Sequence, residues 1–270
     1  MRLQTTENCV AFGRVMSELS NSGSLNDSDI ALIKRLLPLV VATIDDRSWR
    51  VRWTAAAKFA DVISAFHQLP DAMDSLVPAY EKLLQDPEAE VRTAATFNLA
   101  AVARCKAMVP VPPAGGRPPT EAEMADYRGP RISVAERLVK RVTSLTEDDS
   151  EHVRAALAMV ATELAPILGK DATITHLVPP VLLLLRDAAS EVRLNLISSL
   201  AALNEVIGVD LLSQSLLPAI LDLAQDGKWR WVFNSTGLSK YVLLSSLGVL
   251  LTVVRFFAGF VWRLFNTYRF

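Results

Sequence analysis

An aspartate and an arginine six residues apart recur down the chain as Asp46/Arg52, Asp86/Arg92, Asp148/Arg154 and Asp187/Arg193. Successive arginines are 40, 62 and 39 residues apart, and the long interval contains an insertion. A fifth unit begins on schedule at Asp226, but Val232 stands where its arginine belongs. A period near 40 residues specifies a solenoid, in which each unit buries its apolar faces only by stacking on its neighbours. Such arrays work by presenting a long surface to other proteins. The feature to look for is therefore a ridge of contacts rather than an active site.

Each unit reads as two helices. The first is marked by an apolar residue and proline (Leu37-Pro38, Val77-Pro78, Val178-Pro179, Leu217-Pro218), with Lys140 in the proline position of the third unit. Proline suits a first helical turn, where its missing N–H has no intrahelical partner, so these residues are expected to open the helices. The second helix is expected near Val51, Val91, Val153 and Val192. Offsets of four, eight and eleven from each valine give Ala55, Phe59, Val62; Ala95, Leu99, Val102; Leu157, Ala161, Leu164; and Leu196, Leu200, Leu203. One apolar helical face is thus repeated four times. Because Asp46, Arg52, Asp86, Arg92, Asp148, Arg154, Asp187 and Arg193 hold one register, stacking is expected to align them as a ladder of charge-assisted hydrogen bonds between adjacent turns. The competing reading is a set of solvated turn charges contributing about 0–1 kcal/mol per pair.

The expected architecture is all-α. Residues 1–18 supply the second helix of an incomplete repeat, 31–105 two repeats, 132–208 two more, and 209–230 the first helix of another incomplete one. Residues 19–30 (rich in Ser, Asn and Asp) and 106–131 (rich in Pro and Gly) read as insertions after second helices, where loops lengthen at modest entropic cost. The second insertion is expected to be a disordered linker. Its prolines (Pro110, Pro112-Pro113, Pro118-Pro119) also admit reading as a ligand for a proline-recognising domain.

Composition changes abruptly near the C-terminus. The chain has a net charge of −1, which offers no global field for nucleic acid. After Asp226 there are six Lys/Arg and no acidic residue, so that segment carries +6 and the remainder −7. Residues 229–270 hold 11 of the 19 aromatics. Residues 231–270 have no repeat register, and 241–262 is apolar enough to read as a membrane segment, except that Arg255 inside it is costly in hydrocarbon. Three readings stay open: an unselected terminal sequence, a membrane anchor, or a helix capping the solenoid.

Chemistry-bearing motifs are scarce. His67, His152 and His176 are isolated, and no metalloprotease, P-loop, nucleophile-elbow or dinucleotide motif occurs. Gly115-Gly116 lacks a strand–helix context. The acidic turn from Glu147 to Glu151 resembles a weak cation site, although helix N-termini attract acids for dipole reasons alone. The expectation is a non-enzyme with no cofactor and no metal. Cys9 and Cys105 are too few for a disulfide framework. With no apolar leader at the N-terminus, the expected location is cytoplasmic, extending to the nucleus, with membrane association through 241–262 as the exception.

Helix-turn-helix units of this length and register resemble HEAT repeats. Runs of wording go further: Asp46 to Arg52, Leu76 to Tyr80, Glu88 to Arg92, Ala165 to Lys170, Glu191 to Asn195, Asn204 to Gly208 and Leu212 to Ile220. From about Arg2 to Arg230 the chain is similar to the scaffold (A) subunits of protein phosphatase 2A. That resemblance implies a fifteen-repeat horseshoe of which this chain matches the sixth to eleventh repeats, as a partial or truncated form. It implies a regulatory B subunit facing Ser48, Trp49, Arg50, Asp86 and Glu88. It also implies a remnant catalytic-subunit contact at Lys228, Trp229 and Arg230, weakened or lost because the following repeats are missing. A tryptophan beside an arginine is the composition of a binding hot spot; the alternative is that Trp49 packs on its own neighbours. A membrane-tethered adaptor and a non-functional truncated form are the other readings.

Overall fold

The computed structural model describes residues 27–67, 69, 72–111 and 129–208, together with 7, 8, 11, 12, 14 and 15 near the N-terminus. The helices are α1 (Asp27–Ile44), α2 (Trp49–Ala57), α3 (Phe59–Phe66), α4 (Ala72–Leu83), α5 (Ala89–Phe97) and α6 (Leu99–Ala103). After the insertion come α7 (Val134–Thr146), α8 (Glu151–Val160), α9 (Val178–Leu185) and α10 (Ser190–Ile207). They stack as two layers. In one, α1, α4, α7 and α9 touch in order; in the other, α2 packs on α5, α5 on α8 and α8 on α10. The described residues thus form a mostly helical repeat solenoid.

Its core is the repeated face read from the valine register. All twelve residues at those offsets are buried, from Phe59 and Leu99 at 0% to Leu200 at 8% exposure. Each second helix starts two residues before its valine, at Trp49, Ala89, Glu151 and Ser190. Tyr80 of α4 lies against Phe59, with ring centroids 4.7 Å apart. Its hydroxyl donates to the carbonyl of Ala95 at 2.6 Å, joining the two layers.

Four expectations are corrected. First, the prolines do not open the first helices: Pro38 lies inside α1 and Pro78 inside α4. Pro179 is at the start of α9, yet α9 continues directly from the π-helical turn Thr173–Leu177. A proline within a helix costs one N–H bond and crowds the carbonyl four residues back. In α4 the residues on both sides of Pro78 are buried, and that packing outweighs the cost; α1 is buried only on the C-terminal side of Pro38, at Val40, Thr43 and Ile44, and the wide π-turn accommodates the same crowding ahead of Pro179. Second, Asp27 to Ile30, assigned to an insertion, belong to α1.

Third, the architecture is not purely helical. Met108–Pro110 (β1) and Arg131–Ser133 (β2) form a two-stranded antiparallel ribbon in which Val109 pairs with Ile132. The ends of the 106–131 insertion are therefore ordered and closed on each other. A capping box follows at once: Ser133 Oγ accepts from the N–H of Glu136 at 3.1 Å, and Glu136 reaches back to the N–H of Ser133. It starts α7 directly at the end of β2. Fourth, second helices are interrupted about seven residues beyond the valine. Breaks fall at Lys58 and Asn98, and α8 tightens into a 3-10 turn at Ala161–Leu164.

Among the described residues no helix is long and apolar enough to cross a membrane. Residues 241–262 lie outside the described residues, as do Cys9, residues 112–128 and the whole of 209–270.

Candidate interaction surface

The turns between paired helices share one construction. In each, the aspartate accepts the backbone N–H two residues on: Ser48 to Asp46 at 2.8 Å, Glu88 to Asp86 at 2.9 Å, Ser150 to Asp148 at 2.9 Å and Ala189 to Asp187 at 2.8 Å. This local bond is what short acidic side chains do best in turns. The arginine six residues later folds back, and its Nη1 donates to the carbonyl of that same aspartate, at 2.9 Å for Arg52, 2.7 Å for Arg92, 2.6 Å for Arg154 and 2.5 Å for Arg193.

The remaining donors cross to the next unit. Arg52 binds Asp86 through Nε at 2.6 Å and Nη2 at 2.9 Å; Arg92 binds Asp148 at 2.7 and 2.8 Å; Arg154 binds Asp187 at 2.6 and 3.1 Å. Each rung is a two-pronged fork on a carboxylate, and the side chains are between 6% and 16% exposed. The aspartate hydrogen bond is the main reason the pKa values of Arg52, Arg92 and Arg154 are raised. Burial pushes the carboxyls of Asp148 and Asp187 up. The arginine fork and the turn N–H outweigh it and hold both below the usual carboxylate range. Arg193 is buried, and among the described residues its Nε has no partner.

A second seam runs beside the first. At seven residues past the valine, Asn98 Nδ2 donates to the carbonyl of Ala56 at 3.1 Å and Ser199 Oγ to that of Ala158 at 3.2 Å, in each case reaching the preceding unit. A third tie holds the insertion. Glu81 of α4 accepts Arg137 Nη2 at 2.7 Å and Arg141 Nε at 3.2 Å, both from α7, while Arg137 Nη1 donates to the carbonyl of Pro110 in β1 at 2.8 Å. Arg131 of β2 bonds the Met108 carbonyl at 2.8 Å and pairs with Asp74. Neither tie was read from the sequence. Glu81 and Arg137 are 56 residues apart, so no local spacing joins them.

The residues assigned to partners fall differently. Asp86 is buried, and the Arg52 fork and the Glu88 N–H occupy its carboxylate, so it belongs to the ladder rather than to an open contact face. Glu88 is exposed. Trp49 is half-buried against the core, with the Arg50 guanidinium 4.9 Å above its ring, and is not the exposed tryptophan its setting suggested. Among the described residues the exposed tryptophan is Trp53, at 44%. Lys228, Trp229 and Arg230 lie outside the described residues. Among the described residues no three His, Cys, Asp or Glu converge as a metal site; in the acidic turn, Asp148 is already engaged by Arg92.

On the second-helix layer, Trp53 and Phe97 wall an apolar groove of about 420 Å³, with Ala57 and Ala94 along it and Glu90 and His152 among its lining residues. Phe97 is 49% exposed. Offsets of two and six from the valine hold these aromatics, a pattern visible in the sequence once the buried face is assigned.

The chain is 36% identical over 107 residues to the beta isoform of the human 65 kDa regulatory (A) subunit of serine/threonine-protein phosphatase 2A. That match covers 40% of this chain and 15% of the relative's length. Among solved structures, it resembles a designed armadillo repeat protein in complex with the peptide (KR)4, at 19% identity and a TM-score of 0.48 over 90% of this chain and 98% of that one. A computationally designed armadillo repeat protein for modular peptide recognition is 20% identical, with a TM-score of 0.46 over 84% of this chain and 93% of that one. A family model described as PIK3R4-like, middle domain, matches residues 12–228. With that span covering most of its length, the chain belongs to the PIK3R4-like, middle domain family.

Proposed function

We propose that the chain is a non-catalytic scaffold whose turn ridge holds a regulatory B subunit of a phosphatase 2A assembly, with Ser48, Trp49, Arg50 and Glu88 at the contact. The observation that carries this reading is the 36% identity with a regulatory component of phosphatase 2A, joined to a ladder that fixes every turn in the same attitude. Rigid turns in register present their exposed residues as one row at little entropic cost on binding. The proposal extends to a remnant catalytic-subunit contact at Lys228, Trp229 and Arg230, which lie outside the described residues. The expected setting is cytoplasmic.

The test is co-precipitation of the tagged full chain from lysate, probed for regulatory and catalytic subunits, against the W49A/R50A variant. The expected result is regulatory subunit recovered with the native chain and lost with the variant. Equal recovery with both would remove the assignment of Trp49 and Arg50.

A second reading rests on the wider family match. There the repeats form the central platform of a PIK3R4-like assembly, and neither phosphatase subunit is recovered although the chain is folded and soluble.

A further inference from the structure

The junction between the second and third units is stitched less than its neighbours. At seven residues past the valine, Asn98 ties the second unit to the first and Ser199 ties the fourth to the third, each donating to the carbonyl five residues past the preceding valine. Asn195, at offset three, adds a bond from the fourth unit to the carbonyl of Ala155 at 3.4 Å. The third unit has Val160 and Ala156 at those two positions, and neither side chain can donate. On the second-helix layer, among the described residues, the third unit is therefore held to the second by packing and by two polar contacts. One is the Arg92–Asp148 rung, at the turn. The other joins Arg104 to Glu163 at 2.9 Å near the far end, with side chains 56% and 49% exposed. Pairs so exposed hold weakly.

Strain collects at the same place. Directly after Val160 the helix tightens into the 3-10 turn Ala161–Leu164, and a 3-10 stretch within a helical run is a common site of hinging. Thr162 in that turn is 1% exposed, and among the described residues its hydroxyl has no partner. A buried hydroxyl left unpaired is a cost that another arrangement of the turn can recover. The first-helix layer is the opposite case. There Glu81 and Arg137 are both buried and lock α4 to α7, and Arg137 also holds the carbonyl of Pro110. One layer is pinned by buried charge, and the other is loosely sewn.

We propose that the solenoid bends at this junction, with α8 and its 3-10 turn swinging against α5 and α6 about the Glu81–Arg137 clamp. The apolar groove beside it registers the motion. Trp53 and Ala57 come from the first unit and Ala94 and Phe97 from the second, while His152 comes from the third. Bending therefore moves the His152 wall relative to the two aromatics and sets how far the groove stands open. This inference goes beyond the scaffold reading and stands or falls without phosphatase subunits.

The test is double electron–electron resonance on the full chain in a cysteine-free background, C9S/C105A. Spin labels in K106C/E205C sit at exposed positions near the far ends of the second helices of units two and four, and span the junction. Labels in H67C/E90C, also exposed, span only the junction of units one and two. Two distance maxima are expected for the first pair and one for the second. V160N puts an amide at the offset of Asn98 and Ser199, with the Thr96 carbonyl at the offset of their acceptors, and is expected to abolish the second maximum. R104A removes only the exposed Glu163 pair and is expected to raise the share of the longer distance. A single maximum for K106C/E205C in the otherwise native chain would overturn the hinge, and equal breadth in both pairs would overturn its location. A folded V160N with an unchanged distribution would overturn the missing seam as its cause. Should V160N fail to fold, an unchanged distribution in R104A overturns the proposal in its place.

Discussion

Replacing Arg92 by methionine tests the ladder at its middle rung. The substitution keeps an apolar stem against the turn and removes the guanidinium. It deletes two charge-assisted bonds to Asp148, at 2.7 and 2.8 Å, and frees the carbonyls of Asp86 and Pro87. Breaking a buried pair from one side costs about 3–5 kcal/mol, because the partner charge stays buried. With the two side chains 16% and 9% exposed, some water reaches the site, and the low end, about 3 kcal/mol, applies. For a domain of this size that corresponds to a fall in Tm of about 6–12 °C.

The pH dependence carries a second signature. In the native chain Asp148 lies below the usual carboxylate range. Its contribution is complete above the unfolded value, about 4, and is lost as pH falls through the folded one. In R92M, burial is no longer outweighed and carries the carboxyl above its ordinary value. The variant then regains stability as pH falls through that raised value. The stability gap between native and variant is therefore widest at neutral pH and narrows on acidification. Denaturant melts at pH 7 and 4.5 measure this, and R92M/D148N, which keeps the Ser150 bond but removes the stranded charge, recovers most of the loss. A cost at pH 7 below about 1 kcal/mol, or a gap no smaller at pH 4.5, would reduce the ladder to solvated turn charges.

Three further outcomes follow from the same geometry. Arg137→Met leaves Glu81 with Arg141 alone, at 3.2 Å, and the Pro110 carbonyl without its donor; it costs about 1–3 kcal/mol by denaturant melt, with faster hydrogen exchange confined to β1, β2 and the adjoining turns of α4 and α7. Lys82→Ala removes an ion pair to Asp45 whose side chains are 51% and 60% exposed, and changes the melt by less than about 1 kcal/mol. Tyr80→Phe leaves the Ala95 carbonyl without its 2.6 Å donor and costs about 1–3 kcal/mol. Burial holds the Tyr80 phenol well above its ordinary value, so native stability attributable to it is present at neutral pH and lost as pH rises through the raised value.

The buried face was legible because helical periodicity is a property of a few consecutive turns: Ala55, Phe59 and Val62 are close in sequence and close in space. The ladder was legible as a row, since four aspartates and four arginines keep one register. Which acid meets which arginine depends on stacking, and Arg92 reaches Asp148 across 56 residues as readily as Arg52 reaches Asp86 across 34. Helix starts were misread at Pro38 and Pro78 because proline position is a local preference that tertiary burial overrides. The ribbon was missed because Met108–Pro110 and Arg131–Ser133 are three residues each, too short for a period of two to register, and gain their place from Arg137 and Glu81. The half-burial of Trp49 was illegible for a related reason: it depends on how neighbouring units stack.

The ladder is directional, and that direction matters during synthesis. Arg52, Arg92 and Arg154 each draw one acceptor from their own turn and the other from a turn that has not yet been translated. On the ribosome, the most recently completed unit therefore always displays a half-satisfied guanidinium, which the arrival of the following aspartate relieves some 33 to 56 residues later. Growth of the array thus proceeds like a zipper with a charged slider. The long interval between Arg92 and Asp148 is the point at which a nascent chain waits longest, and it is where chaperone attendance is expected to be greatest.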